Sequence, residues 1–131
     1  MVQTPRTTKP PFLQEARLLR VLAHPGRLAI LAALRNGSAC VCHLTVALGR
    51  SQAYVSQQLA ILRDAGLLDA RREGTFVSYR LQDYGILGMV DLISRFLGRT
   101  HPPVVSAATR LEGCACPQCR PATRATPGGP P

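Results

Sequence analysis

The chain of 131 residues contains no tryptophan, a single lysine (Lys9) and only seven acidic residues against sixteen basic ones. It also lacks any apolar run long enough to cross a bilayer. The uncharged stretch over 36–49 is too short for that and carries Asn, Ser, His and two Cys. Its first residues, MVQTPRTTKPPF, contain no apolar segment of the kind a secretory signal needs. Proline is nearly missing from the middle: ten of eleven prolines fall in the first eleven residues or after Thr100, the exception being Pro25. These absences exclude a membrane span, a coiled-coil rod and a large multi-domain enzyme, while 46% apolar residues exclude a wholly disordered chain. A cytoplasmic protein with one folded unit is expected, and its five cysteines read as reduced thiols or metal ligands in place of a disulfide framework.

Proline and glycine divide the chain into an N-terminal arm over 1–11, a folded unit over 12–98 and a Pro/Gly-rich tail over 99–131. Net charge is +9, but the folded unit has ten Arg against six acidic residues, so more than half of the surplus lies in the tails. Charge invites a nucleic-acid reading without carrying one.

Apolar periodicity gives the expected elements. A first helix runs over 13–23 with Ala16, Leu18, Leu19, Leu22 and Ala23 on one side. His24-Pro25 ends it and opens a second, proline suiting a first helical position where no N–H partner is needed. Leu28, Leu31 and Leu34 mark the inner stripe of that helix, which stops at Asn36-Gly37. Ser38 is expected to cap a short third helix through Cys40, Leu44 and Leu48, and Ser51 a fourth with Val55, Leu59 and Leu62 turned inward. A β-hairpin follows, with Glu73-Gly74 at its turn and Val77, Tyr79 and Leu81 alternating. The last helix, over 83–97, offers Ile86, Leu87, Val90, Ile93, Phe96 and Leu97, a wide apolar surface suited to a second subunit. Two short helices joined by Gly49-Arg50-Ser51 and followed by a basic hairpin predict a mainly α fold, a winged helix-turn-helix.

The segments LAHPGRLAILAAL (22–34), ACVCHL (39–44), ALGRSQAYVSQQLAILRDAGLL (47–68) and RREGTFVSYRL (71–81) resemble the ArsR/SmtB family of metal-sensing winged-helix repressors, over about half the chain. The resemblance implies no enzyme but a homodimer, joined through the first and last helices, that holds double-stranded operator DNA and releases it when metal binds. The fourth helix would be the recognition helix. With its apolar stripe inward, Ser51, Gln52, Tyr54, Ser56 and Gln57 are left near the groove, where Gln pairs with adenine and hydroxyls suit phosphates or base edges. Family members usually have a small polar residue where Ala53 stands and often a His at 57 or 58, so operator preference is expected to differ. Arg71 and Arg72, beside the wing turn, would neutralise phosphates; Arg80 is an even choice between that role and an ordinary exposed charge.

All five cysteines fall in two clusters: Cys40 and Cys42 at the expected start of the third helix, and Cys114, Cys116 and Cys119 in GCACPQC. Family members place thiolates for arsenite, cadmium or lead in a comparable CVCDL box. Here His43 replaces the Asp and Thr45 stands where some relatives have a third cysteine, so the triad within that helix is incomplete and the tail cysteines are the expected substitutes. Thiolates favour soft or borderline ions, among them arsenite, Cd, Pb, Hg and Zn. Residues two apart on a helix point about 200° away from each other, so Cys40 and Cys42 share an ion only if Cys40 lies in the cap or the helix start unwinds. The 17 residues from Leu97 to Cys114 reach about 55 Å, enough for either subunit's Cys40. The family's zinc site on the last helix is not expected, since no His follows Asp83 before Leu97. His24 reads as a helix boundary, His43 as a spectator, and His101 has no motif around it. A repressor of the same fold that senses oxidants or persulfides through these thiols is the alternative reading.

Overall fold

The computed structural model describes residues 10–100 together with Glu112, Cys114, Cys116 and Cys119. The arm over 1–11, most of the tail over 99–131, and His101 therefore lie largely or wholly outside the described residues. In chain order come α1 (Leu13–Leu22), α2 (Pro25–Ala33), a single 3-10 turn (Leu34–Asn36), β1 (Ala39–Cys40), α3 (Val41–Leu48), α4 (Gln52–Asp64), β2 (Leu68–Glu73), β3 (Phe76–Leu81) and α5 (Gly85–Phe96). This is a winged helix-turn-helix, as the element order predicts.

Local chemistry sets the boundaries. His24 caps α2: its Nδ1 accepts the N–H groups of Gly26 at 3.1 Å and Arg27 at 3.4 Å, and Pro25 takes the first helical position. Gly49 closes α3 in the left-handed conformation, φ 63°, that glycine adopts without Cβ strain. The Ser51 hydroxyl then accepts the Tyr54 N–H at 3.2 Å and caps α4. The expected Ser38 cap is a correction. The chain is extended through Ala39 and Cys40, and the N-cap of α3 is Cys40, whose sulfur accepts the His43 N–H at 3.3 Å. The expected two-stranded hairpin also gains a strand. β1 pairs antiparallel with β3, Ala39 opposite Tyr79 and Cys40 opposite Ser78, giving the order β1-β3-β2. Two residues are too few to produce an alternation legible in sequence.

The core joins α2, α3, α4 and the sheet through Ile30, Leu31, Leu34, Leu44, Val55, Leu59 and Leu62, all fully buried, with Leu22, Leu68, Leu81, Ile86 and Leu87 completing it. Truncating one of the central leucines to alanine would cost about 2–5 kcal/mol. Gln58, buried on α4, accepts a 2.9 Å hydrogen bond from Arg27 Nε, while Arg27 Nη1 holds the Val21 carbonyl at 3.0 Å. One guanidinium thereby links α1, α2 and α4. Of the six apolar residues expected to be covered on α5, only Ile86 and Leu87 are buried in the single chain; Ile93, Phe96 and Leu97 are exposed. Among the described residues no helix is long and apolar enough to cross a membrane.

Candidate metal centre and nucleic-acid interface

The outer side of α4 presents Ser51, Gln52, Ser56 and Gln57 to solvent, because Val55, Gln58, Leu59 and Leu62 occupy the inner side. Tyr54 differs from its neighbours. It is half-buried, its ring carries the Arg50 guanidinium 3.9 Å from the centroid, and its hydroxyl lies so close over Gly26 that a Cβ there would collide with it. Tyr54 thus packs the start of α4 onto α2 as well as standing near the exposed side. In the wing, Arg71 and Arg72 of β2 are exposed and face Ser78 and Val77 of β3. Arg80 is engaged differently, its guanidinium pairing with Asp69 at 3.2 Å.

The two cysteine groups of the sequence meet. Cys40, Cys114, Cys116 and Cys119 form one buried cluster, with Cys42 and Phe76 packed against it. Cys42 Sγ lies 3.2 Å from Cys114 Sγ. Thr45 turns its hydroxyl back to the Val41 carbonyl at 2.8 Å. His43, read in sequence as a spectator, is the main correction: it is fully buried and its Nδ1 is 3.1 Å from Cys119 Sγ. The signal available in sequence was its place directly after the Cys40/Cys42 pair.

Burial and the close sulfurs act on the thiols unequally. Burial pushes the Cys40 thiol up to about 11, although the hydrogen bond from the His43 N–H works the other way. Cys114 is also raised, chiefly by burial. For Cys116 burial raises as well, but the Cys119 N–H and the thiols of Cys40, Cys114 and Cys119 together carry it below its ordinary value. A sulfur surrounded by donors is prepared to be a thiolate, the form that binds metal.

Four ligand atoms, a ring nitrogen of His43 and the sulfurs of Cys114, Cys116 and Cys119, lie within 4.8 Å of one another. A tetrahedral ion with bonds of about 2.0–2.3 Å requires ligand separations of roughly 3.8 Å, so these atoms need only small adjustments to hold one. The donor set therefore fits a thiophilic ion. Its placement connects to both α4 and the wing. His43 sits on α3, whose Leu44 shares the core with α4, and Cys40 pairs with Ser78 of the wing strand that also supplies Phe76.

Residues 24–70 match the family model described as bacterial regulatory protein, arsR family. The chain is 43% identical over 74 residues to the arsenical resistance operon repressor of Escherichia coli K12, an alignment spanning 56% of this chain and 63% of that protein. It is 37% identical over 83 residues to an uncharacterised helix-turn-helix-type transcriptional regulator of Methanocaldococcus jannaschii, covering 63% of this chain and 93% of the regulator. Among solved structures, the AntR antimony-specific transcriptional repressor superposes with a TM-score of 0.62 at 33% identity, covering 75% of this chain and 89% of that one. The chain spans less than two thirds of the length of several curated relatives, the Escherichia coli repressor among them. These relatives are regulators of transcription and not enzymes, and with the winged helix-turn-helix they show that this chain belongs to the ArsR family of bacterial regulatory proteins.

Proposed function

We propose that this protein is a cytoplasmic repressor that binds double-stranded operator DNA as a homodimer and releases it when a soft metal ion or arsenite is taken up by its cysteine thiolates. Residues 12–98 form the DNA-binding and dimerisation unit, and the tail over 99–131 contributes to the sensor. Ser51, Gln52, Tyr54, Ser56 and Gln57 face the major groove, and Arg71 and Arg72 clamp phosphates beside it. The inducer site lies within the cluster that Cys40, Cys42, Cys114, Cys116 and Cys119 form, for which arsenite, Cd, Pb and Zn are the chemically suited ions.

The observation that carries this reading is the gathering of all five cysteines into one cluster at the start of α3, the first helix of the helix-turn-helix. Ordinary packing would not bring three polar-tail cysteines onto two from the fold. The names of two relatives, one tied to arsenical resistance and one to antimony, lend support to a metalloid inducer. An ion that draws the sulfurs together shifts α3 and the wing strand, and a coupling of about 1–3 kcal/mol, roughly 5- to 150-fold in affinity, suffices for release.

One observation favours a second reading: the 3.2 Å between Cys42 and Cys114 sulfurs suits a thiol switch of the same fold. A fluorescence-anisotropy titration of the reduced protein on DNA from its own promoter region separates the two. Arsenite, Cd(II), Pb(II), Zn(II) or peroxide is added to wild type and to Cys114→Ser and Cys116→Ser. Release by an ion, lost in both variants, is the expected result. Release by peroxide alone selects the redox reading, and DNA binding that responds to none of them refutes both.

A further inference from the structure

We infer that the inner ligands of this cluster are His43, Cys114, Cys116 and Cys119, a Cys3His centre for a borderline divalent cation such as zinc, cadmium or cobalt, with Cys40 and Cys42 outside it. The inference rests on the proposed inducer site only in taking the thiol cluster as a metal site, and it names the ligands and the class of ion.

Geometry separates the six donors into two groups. A ring nitrogen of His43 and the three tail sulfurs are mutually within 4.8 Å, and all four residues are buried. The Cys119 N–H donates to the Cys116 carbonyl at 3.0 Å, a turn that brings the two sulfurs of this CxxC to one side. His43 closes the fourth corner from α3, 3.1 Å from Cys119. Cys40 already has a local task. Its sulfur caps α3 by accepting the His43 N–H, and its backbone is held in register opposite Ser78. Cys42, the least buried of the five, touches the cluster through Cys114 and lies about 100° around the helix from His43.

The donor chemistry then selects the ion. As(III) takes three sulfurs in a pyramid and leaves an imidazole without a bond to make. A tetrahedral divalent ion uses all four donors, and imidazole nitrogen suits zinc and its neighbours in the periodic table. Charge argues the same way. Three thiolates and a neutral imidazole around a divalent ion leave one net negative charge in a buried place, whereas four thiolates leave two. In this arrangement His43 is the one inner ligand on the helix-turn-helix, so the metal–nitrogen bond ties the tail cysteines to α3.

The test uses the full-length, reduced protein. Under anaerobic conditions Co(II) is expected to give the intense visible bands of a tetrahedral site with charge-transfer intensity for three sulfurs. One equivalent of Zn(II) is expected to shift Nδ1 of His43, and of no other of the three histidines, in long-range ¹H–¹⁵N spectra. Cys40→Ser and Cys42→Ser should keep the cobalt spectrum; His43→Gln and Cys119→Ser should lower Co(II) affinity at least about 100-fold. The wild-type nitrogen shift needs no variant, so misfolding of His43→Gln does not blunt the test. A four-sulfur spectrum with His43 unmoved, or loss of the spectrum in Cys40→Ser, overturns the inference. Arsenite-driven release of operator DNA without Co(II) or Zn(II) binding also overturns it while leaving the repressor reading intact. A Cys3His spectrum in a protein that binds no operator supports the inference and refutes that reading.

Discussion

Cys42 and Cys114, 72 residues apart in the chain, bring their sulfurs to 3.2 Å of each other beside the start of α3. A modest approach from this distance makes a disulfide of about 2.05 Å. Treatment of the metal-free protein with diamide, which takes up the two protons and two electrons that the thiols lose, should link this pair first and within one chain. Peptide mapping without reductant reads the linkage. A dominant link between chains, or one joining Cys40 to Cys42, would contradict this proximity, and saturating Zn(II) beforehand should suppress the reaction.

The wing arginines differ in their engagements, and salt dependence should expose this. Arg71 and Arg72 are exposed, whereas Arg80 holds Asp69 at 3.2 Å. Each of Arg71→Ala and Arg72→Ala should weaken operator and non-operator DNA alike. Each should also reduce the slope of log K against log salt by about 0.9 for every phosphate left unneutralised. Arg80→Ala should change the slope less. Equal slopes for all three variants would remove the distinction.

Alkaline pH should loosen the metal-free fold. The Cys40 thiol is raised from 9.0 to about 11 by burial, so the folded protein holds this proton more tightly than the unfolded chain does. The associated stability is fully present below pH 9 and is lost as pH rises toward 11. Urea midpoints of wild type should therefore fall over this window, and those of Cys40→Ser should fall less, since serine does not titrate there. Metal uptake at neutral pH should release protons from Cys40's raised neighbour Cys114, and apparent affinity should increase with pH. A pH-independent affinity would be the opposing result.

The apolar side of α5 is open in the single chain: Leu92 is 62% and Phe96 89% exposed, with Phe12 and Leu19 of the α1 region exposed as well. A second copy of the chain is the proposed cover. Phe96→Glu and Leu92→Glu should each weaken self-association by about 2 kcal/mol or more, roughly 30-fold. Sedimentation velocity checks this, and operator affinity should fall in parallel. A wild-type protein that sediments as a monomer at every accessible concentration would remove the homodimer.

Periodicity and punctuation were enough for the helix-turn-helix. Val55, Leu59 and Leu62 recur at helical spacing because one side of α4 must be apolar, and Gly49 and Ser51 announce the turn through backbone chemistry confined to a few residues. The pairing of Cys40 with Ser78 and the cap that Cys40 provides had no such sign, since β1 is two residues long and its strand partner is 38 positions away. The ligand chemistry was likewise divided. Composition and clustering of the cysteines pointed to a thiol site, because those residue types bind soft ions wherever they are placed. Only the tertiary structure decided that His43 stands within the cluster and that Cys119 meets it across 76 residues, because a ligand set is defined by distance in space, which chain spacing does not encode.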